Sequence, residues 1–326
     1  MPETTMTMAA AINSGFHCAM EADEKIVVLG EDVEEPIGGV FKTSKGLSTR
    51  FGTHRVRSTP IAEGAIAGAA VGLALGGYRP VAEIMFFDFV TLTLDQVLNH
   101  AAKFRYMSGG ATPAPITMTT TIGTSHFGAQ HAQSLEAWFM HTPGINVVMP
   151  STAADAKGLL QACLTSPDPS LFIQHSNLLY SRKGPVEESS YTVPLGKAAT
   201  LRSGDDVTIV TYGTGVGLAL DAASELTGSG IEADVIDLRS LVPLDFDTVL
   251  ASVERTRRCV VVHEATQFLG PGAEISSRIH EELFGELLAP VGRVGAAFTP
   301  VPFSKALSNH PTVDRVVKKV QELCGG

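Results

Sequence analysis

Basic residues are scarce in this chain of 326 residues: 24 Lys and Arg stand against 34 Asp and Glu, for a net charge of −10. The cations are scattered, so no basic footprint marks a nucleic-acid partner. Cysteine is rarer still. Cys18, Cys163, Cys259 and Cys324 lie far apart, with no Cys-x-x-Cys pair and no His at ligand spacing. That argues against an iron–sulfur cluster or structural zinc and suits reduced, buried thiols. No apolar run reaches the roughly 20 residues of a membrane span; the longest, near Ile61 to Leu75, is rich in Gly and Ala. The opening "MPETTMTMAAAINSGFHCAMEADEK" lacks the basic start and continuous apolar core of a secretory signal, so a cytoplasmic location is expected. Phosphate-cradling signatures are also missing: no Gly-x-Gly-x-x-Gly follows the first strand, and there is no Walker Lys.

What is present is an alternation. The runs "KIVVLGED", "RPVAEIMF", "APITMTTT", "INVVMP" and "SLFIQH" are separated by segments of helical length. Strands apolar on both faces predict a mostly parallel sheet covered on two sides. After the polar passage Ser181 to Gly196 the rhythm restarts with "DVTIVTYG", "IEADVIDLR", "CVVVHEA" and "APVGRVGA", with helix candidates at Leu218–Leu226 and Ala273–Leu283. The expectation is α/β, two doubly wound domains at 1–190 and 191–326. "GTGVG", Gly213 to Gly217, is read as a Gly-rich turn at a strand end rather than a dinucleotide loop.

The stretch "STPIAEGAIAGAAVGLALGGYRP", Ser58 to Pro80, holds one carboxylate, Glu63, among small and apolar residues from Ile61 to Gly77. A carboxylate so placed loses hydration unless it finds a partner. Gly64, Gly68, Gly72 and Gly76 recur every four residues, a stripe along one face of a helix. Each Gly costs roughly 1 kcal/mol against Ala there, and close packing on another helix, as at a subunit interface, would compensate. Ser58 or Thr59 is the expected cap, with Pro60 early in the helix, and an acid in the first turn suits the helix dipole. Beyond the helix, Met85, Phe86, Phe87, Phe89 and Leu92 cluster after a strand end, where clefts in α/β folds open. His131, in "GAQHAQS", is by itself more often a structural residue than a catalytic one.

Together "GEDV", "GGVFKTSKGLSTRFG", "RVRSTPIAEGAIAGAAVGLALGGYRPVAEIMFFDF", "LDQVLNHAAKFRYMSGG", "GAQHAQSLEAWFMHTPG", "VVMPSTAADAKGLL" and "VIDLRSLVPLD" resemble the β subunit of thiamine-diphosphate-dependent 2-oxo acid dehydrogenases. These include the pyruvate, acetoin and branched-chain types, within the transketolase-like superfamily. The match runs in unbroken order from about Met6 to the C-terminus. The resemblance implies a pyrimidine-binding domain followed by a transketolase C-terminal-type domain. It further implies an α2β2 heterotetramer whose separate α subunit holds the diphosphate and Mg²⁺, the Gly-Asp-Gly motif for these being missing here. A lipoyl-bearing acyltransferase core would receive the acyl group.

By the same resemblance Glu63 hydrogen-bonds the aminopyrimidine ring nitrogen of thiamine diphosphate. Met85, Phe89 and Leu92 take positions that contact the cofactor. His131 faces the thiazolium, for proton transfer or recognition of the substrate carboxylate. Cys163, Ser166 and Asp168 are candidates for a potassium ion held by backbone carbonyls near "CLTSPDP". Two positions depart from the family: Ala132 stands where Ser is usual, and Thr119 where many members carry Arg. His126 is an unexplained extra, read as loop surface, and His263 is read as structural. Two other readings stand beside the dehydrogenase: a two-subunit transketolase-like or acyloin-forming carboligase without a lipoyl partner, and a non-catalytic assembly subunit.

Overall fold

Residues 3–123, 127–304 and 306–325 are described by the computed structural model. Its strands are, in the first half, β1 (Glu3–Thr7), β2 (Ile26–Gly30), β3 (Val56–Ser58), β4 (Arg79–Phe86), β5 (Thr117–Ile122), β6 (Asn146–Val148), β7 (Ser170–His175) and β8 (Lys183–Glu187). The second half adds β9 (Ala199–Arg202), β10 (Val207–Thr211), β11 (Ala233–Asp237), β12 (Ser240–Val242), β13 (Cys259–Thr266) and β14 (Gly292–Ala296). Seven strands make one sheet, in the order β12-β6-β7-β5-β4-β2-β3, and five make a second, β14-β13-β10-β11-β9. Pairing is parallel except at the edges, where β12 runs antiparallel to β6 and β9 to β11. This is the two-domain α/β architecture the sequence rhythm predicts.

Successive side chains of a strand point to opposite faces, and here both faces are apolar. Val81 and Phe172 join Met8, Ile12, Phe16 and Met20 of the helix Met8–Ala22 on one side. Their neighbours Ala82, Leu171 and Ile173 face the helix Glu63–Leu75 on the other. Burying each such Leu, Ile or Phe contributes about 1.5–3 kcal/mol. The second cluster continues without a break into Val210, Tyr212, Ile236, Val261 and Ile279. One core therefore joins the two sheets, and β12 ties them further by crossing to the first; an antiparallel ribbon of β1 and β8 fastens the chain start.

The helix Glu63–Leu75 corrects one expectation. Its N-cap is Ala62, with no side-chain cap, rather than Ser58 or Thr59. Ser58 is already committed as the last residue of β3, where its hydroxyl accepts from the Glu34 amide at 3.0 Å. The glycine stripe packs largely within the chain: a Cβ at Gly64 would lie 3.3 Å from the Leu92 carbonyl oxygen, and one at Gly68 3.7 Å from the Gln96 side chain. Gly72 opens onto free space. No helix among the described residues is long and apolar enough to cross a membrane.

Candidate active site

The carboxyl ends of β2, β4 and β5 open on the same side, because they run parallel in one sheet. The chain leaving β2 carries Glu31, and β4 delivers Met85 and Phe86 before the short helix Phe87–Val90. Glu63 starts its own helix nearby and is only 7% exposed. Its side chain makes no hydrogen bond or ion pair with the described residues. Burial, and next the charge of Glu63, raise the carboxyl of Glu31 above its ordinary range.

A third acid completes the group. Glu83, in the middle of β4, is buried, and burial pushes it up to about 7, opposed by a hydrogen bond from the Ser44 hydroxyl at 3.1 Å and helped by the charge of Glu31. Gly39, at φ +74°, lets the loop from 31 to 46 close over this carboxyl; a Cβ there would lie 3.2 Å from Glu83 Oε1. Sequence reasoning missed Glu83. The signal was available, since a carboxylate inside an otherwise apolar strand poses the same question that Glu63 does.

His131 sits in an aromatic box. Its ring lies 5.3 Å from both Phe86 and Phe89, edge-on to each. Phe86 also meets Phe41 at 5.7 Å and Phe127 at 6.0 Å, both edge-on. Edge-to-face rings at these separations attract one another, so the imidazole is held by shape with its position fixed against β4. Phe86 is the hub, although the sequence marks it only as one large group among several. Phe87 goes to the core instead, against Phe139. Phe89 and Met85 are half-buried and Leu92 is largely exposed on this chain.

The loop after His131 is pinned. Gln133 donates to Asp88 Oδ1 from both its backbone amide, at 3.3 Å, and its side chain, at 2.7 Å. Ala132, Gln133 and Ser134 then line a cavity of about 320 Å³ shared with Trp138, Glu264 and Asn309. At its floor the two halves of the chain meet through buried polar pairs. His175 Nδ1 accepts from the Asn177 amide, so its proton lies on Nε2 and faces Glu264 at 2.8 Å. Burial alone would raise Glu264, but the electrostatic attraction of His175, and then the hydrogen bonds from His175 and Thr214, bring it down to about 2.

The remaining sequence candidates fall elsewhere. Thr119 is buried in β5, its hydroxyl oxygen without a partner among the described residues. Cys163 is buried and its carbonyl accepts from the Ser166 amide at 3.1 Å. The Asp168 carboxylate is paired with Arg105 at 2.6 Å. Among the described residues no group of three His, Cys, Asp or Glu is placed to hold a metal. His126 lies outside the described residues. His263 is fully buried, hydrogen-bonded to the Ala265 carbonyl at 3.0 Å and stacked on Tyr212; burial lowers it to about 4. "GTGVG" is a turn after β10 that runs into the helix Gly215–Thr227.

Residues 4–181 match the family model "Transketolase, pyrimidine binding domain", and residues 196–315 match "Transketolase, C-terminal domain". Acetoin:2,6-dichlorophenolindophenol oxidoreductase subunit beta of Bacillus subtilis (strain 168) is 43% identical over 334 residues, covering 98% of this chain and 97% of its own. Pyruvate dehydrogenase E1 component subunit beta of the same strain is 45% identical over 322 residues, covering 97% and 99%. The chain belongs to the transketolase-type E1 β-subunit family. This is a family of thiamine-diphosphate enzymes. A solved structure described as "Split gene transketolase, inactive beta4 tetramer" shares the E1 β fold with a TM-score of 0.80 over 98% of both chains, at 24% identity.

Proposed function

We propose that this chain is the β subunit of a thiamine-diphosphate enzyme that decarboxylates a 2-oxo acid, or cleaves acetoin, and passes the acyl group to a lipoyl arm. It would act with a separate α subunit in a cytoplasmic α2β2 assembly, the α subunit holding Mg²⁺ and the diphosphate. The observation that carries this reading is Glu63. A carboxyl buried to 7% exposure, with no partner among the described residues, fits a ring nitrogen brought by a ligand. The potassium ion remains part of the proposal, on the carbonyls around Cys163, Ser166 and Asp168.

Bound thiamine diphosphate would supply the electron-accepting ring chemistry that decarboxylation of a 2-oxo acid requires. The residues of this chain handle protons and water around it. Glu63 would hold a proton against the aminopyrimidine ring nitrogen, and Met85, Phe89 and Leu92 would pack on that ring. Excluding water there strengthens the carboxyl hydrogen bond. His131, fixed between Phe86 and Phe89, would take or give a proton on the substrate side. The curated relatives named above are oxidoreductase subunits and lend no support to a carboligase or assembly-only role.

Glu63→Gln, assayed in complex with the α partner, tests this. Turnover is expected to fall by about 10²–10⁴-fold, while the assembly elutes at its normal size. Retained turnover would remove Glu63 from the mechanism.

A further inference from the structure

We propose that Glu136 and Tyr212 form a positioning pair through which the second half of the chain fixes the His131 loop. Glu136 is the first residue of the short helix Glu136–Met140, five residues after His131, and is fully buried. Tyr212 directly follows β10 and is 2% exposed. Its hydroxyl donates to Glu136 Oε1 at 2.7 Å. The proposal rests on the reading of His131 as a residue of the reaction.

The loop has two anchors of different origin. Upstream, Gln133 is held by Asp88, in the same turn as the rings that cradle His131. Downstream, Glu136 is held by Tyr212 from the other sheet. Tyr212 is itself fixed, stacked on His263 at 6.3 Å between ring centroids and 17° between planes. Both anchors follow His131 in the chain, so removing either leaves the segment after it held at one point instead of two.

A residue serving only to fill space would be apolar at this place. Glu136 buries a carboxyl whose second oxygen, Oε2, has no hydrogen-bond partner among the described residues, and an unsatisfied buried polar atom is costly. Retaining a carboxyl there is explained by the hydroxyl it receives. Phe139, three residues on, packs against Phe87 at 5.5 Å, so the helix that starts at Glu136 also touches the turn carrying Asp88. The pair thus couples the two halves at the point where the His131 loop ends.

The experiment compares Tyr212→Phe, Glu136→Gln and Glu136→Leu with His131→Ala, all in the assembled α2β2 enzyme. It reads kcat and KM for the 2-oxo acid with an artificial electron acceptor, cofactor affinity, and amide hydrogen exchange of residues 127–135. Tyr212→Phe and Glu136→Leu are expected to lower kcat about tenfold, the scale of one lost buried hydrogen bond, with KM and cofactor affinity within about twofold. Exchange of 127–135 should quicken in both. Glu136→Gln keeps an oxygen that accepts the Tyr212 hydroxyl and should recover kcat to within about threefold. Normal kcat and exchange in Tyr212→Phe, a mild substitution, would overturn the proposal, as would a Gln variant no better than Leu. If His131→Ala leaves turnover unchanged, the reading of His131 fails instead, and the exchange data still show whether the pair holds the loop.

Discussion

Replacing Glu83 by Gln tests whether a neutral acid stands behind the candidate active site. Burial raises this carboxyl from 4.5 to about 7. A group raised in the fold contributes stability below its unfolded value, and that stability is lost as pH rises through the folded value. The window here is therefore 4.5 to about 7, and the full loss, two and a half pH units at about 1.4 kcal/mol each, is about 3 kcal/mol. Between about pH 5 and pH 8.5 some 2–3 kcal/mol of it should appear. Gln has nearly the same shape, stays neutral, and can still accept from the Ser44 hydroxyl. Glu264, lowered to about 2, contributes stability above 4.5 that is lost as pH falls through about 2, and so does not disturb this interval. Glu136, raised to about 7 chiefly by burial, and Asp237, raised to about 6, act equally in both proteins and cancel. Urea unfolding of both proteins across this range should show the wild type losing roughly 2–3 kcal/mol more than Glu83→Gln. Parallel curves would refute the reasoning, because Glu83 would then ionise in the fold as it does in the open chain.

Two further outcomes follow. His131→Ala should reduce kcat by about 10²-fold or more while leaving cofactor affinity nearly unchanged, as measured by steady-state kinetics beside a cofactor titration. Gly144 has φ +98°, and a Cβ there would lie 2.1 Å from the Ala102 carbonyl oxygen. Gly144→Ala should therefore destabilise the protein by about 3 kcal/mol or more, read as a lower urea midpoint.

The fold was legible where physics acts locally. Runs such as "RPVAEIMF" and "SLFIQH" are buried along most of their length, and they became β4 and β7 in the central part of the first sheet. Edges were harder. β12 is three residues long and pairs with a strand more than ninety positions earlier in the chain, so nothing in "SLV" reveals its neighbour. The cap of the helix Glu63–Leu75 was misplaced for a related reason: Ser58 is a good capping residue, but strand pairing and the Glu34 loop claim it first.

The same distinction explains which parts of the site the sequence exposes. Glu63 stands out because its neighbours in sequence are small and apolar, and in the fold it is buried with no hydrogen-bond partner among the described residues. Glu136 and Asp88 are also single carboxylates beside apolar residues, in "SLEAWFM" and "FFDFV", and only the fold shows that they are buried and paired within the chain. Their partners, Tyr212 and Gln133, are 76 and 45 positions away. A buried carboxyl is therefore the more general signal. Glu83 and Glu136 are satisfied within the chain at one oxygen each, by Ser44 and Tyr212. Glu63 alone of the three has no such donor among the described residues, and that difference is what the proposed ligand contact rests on.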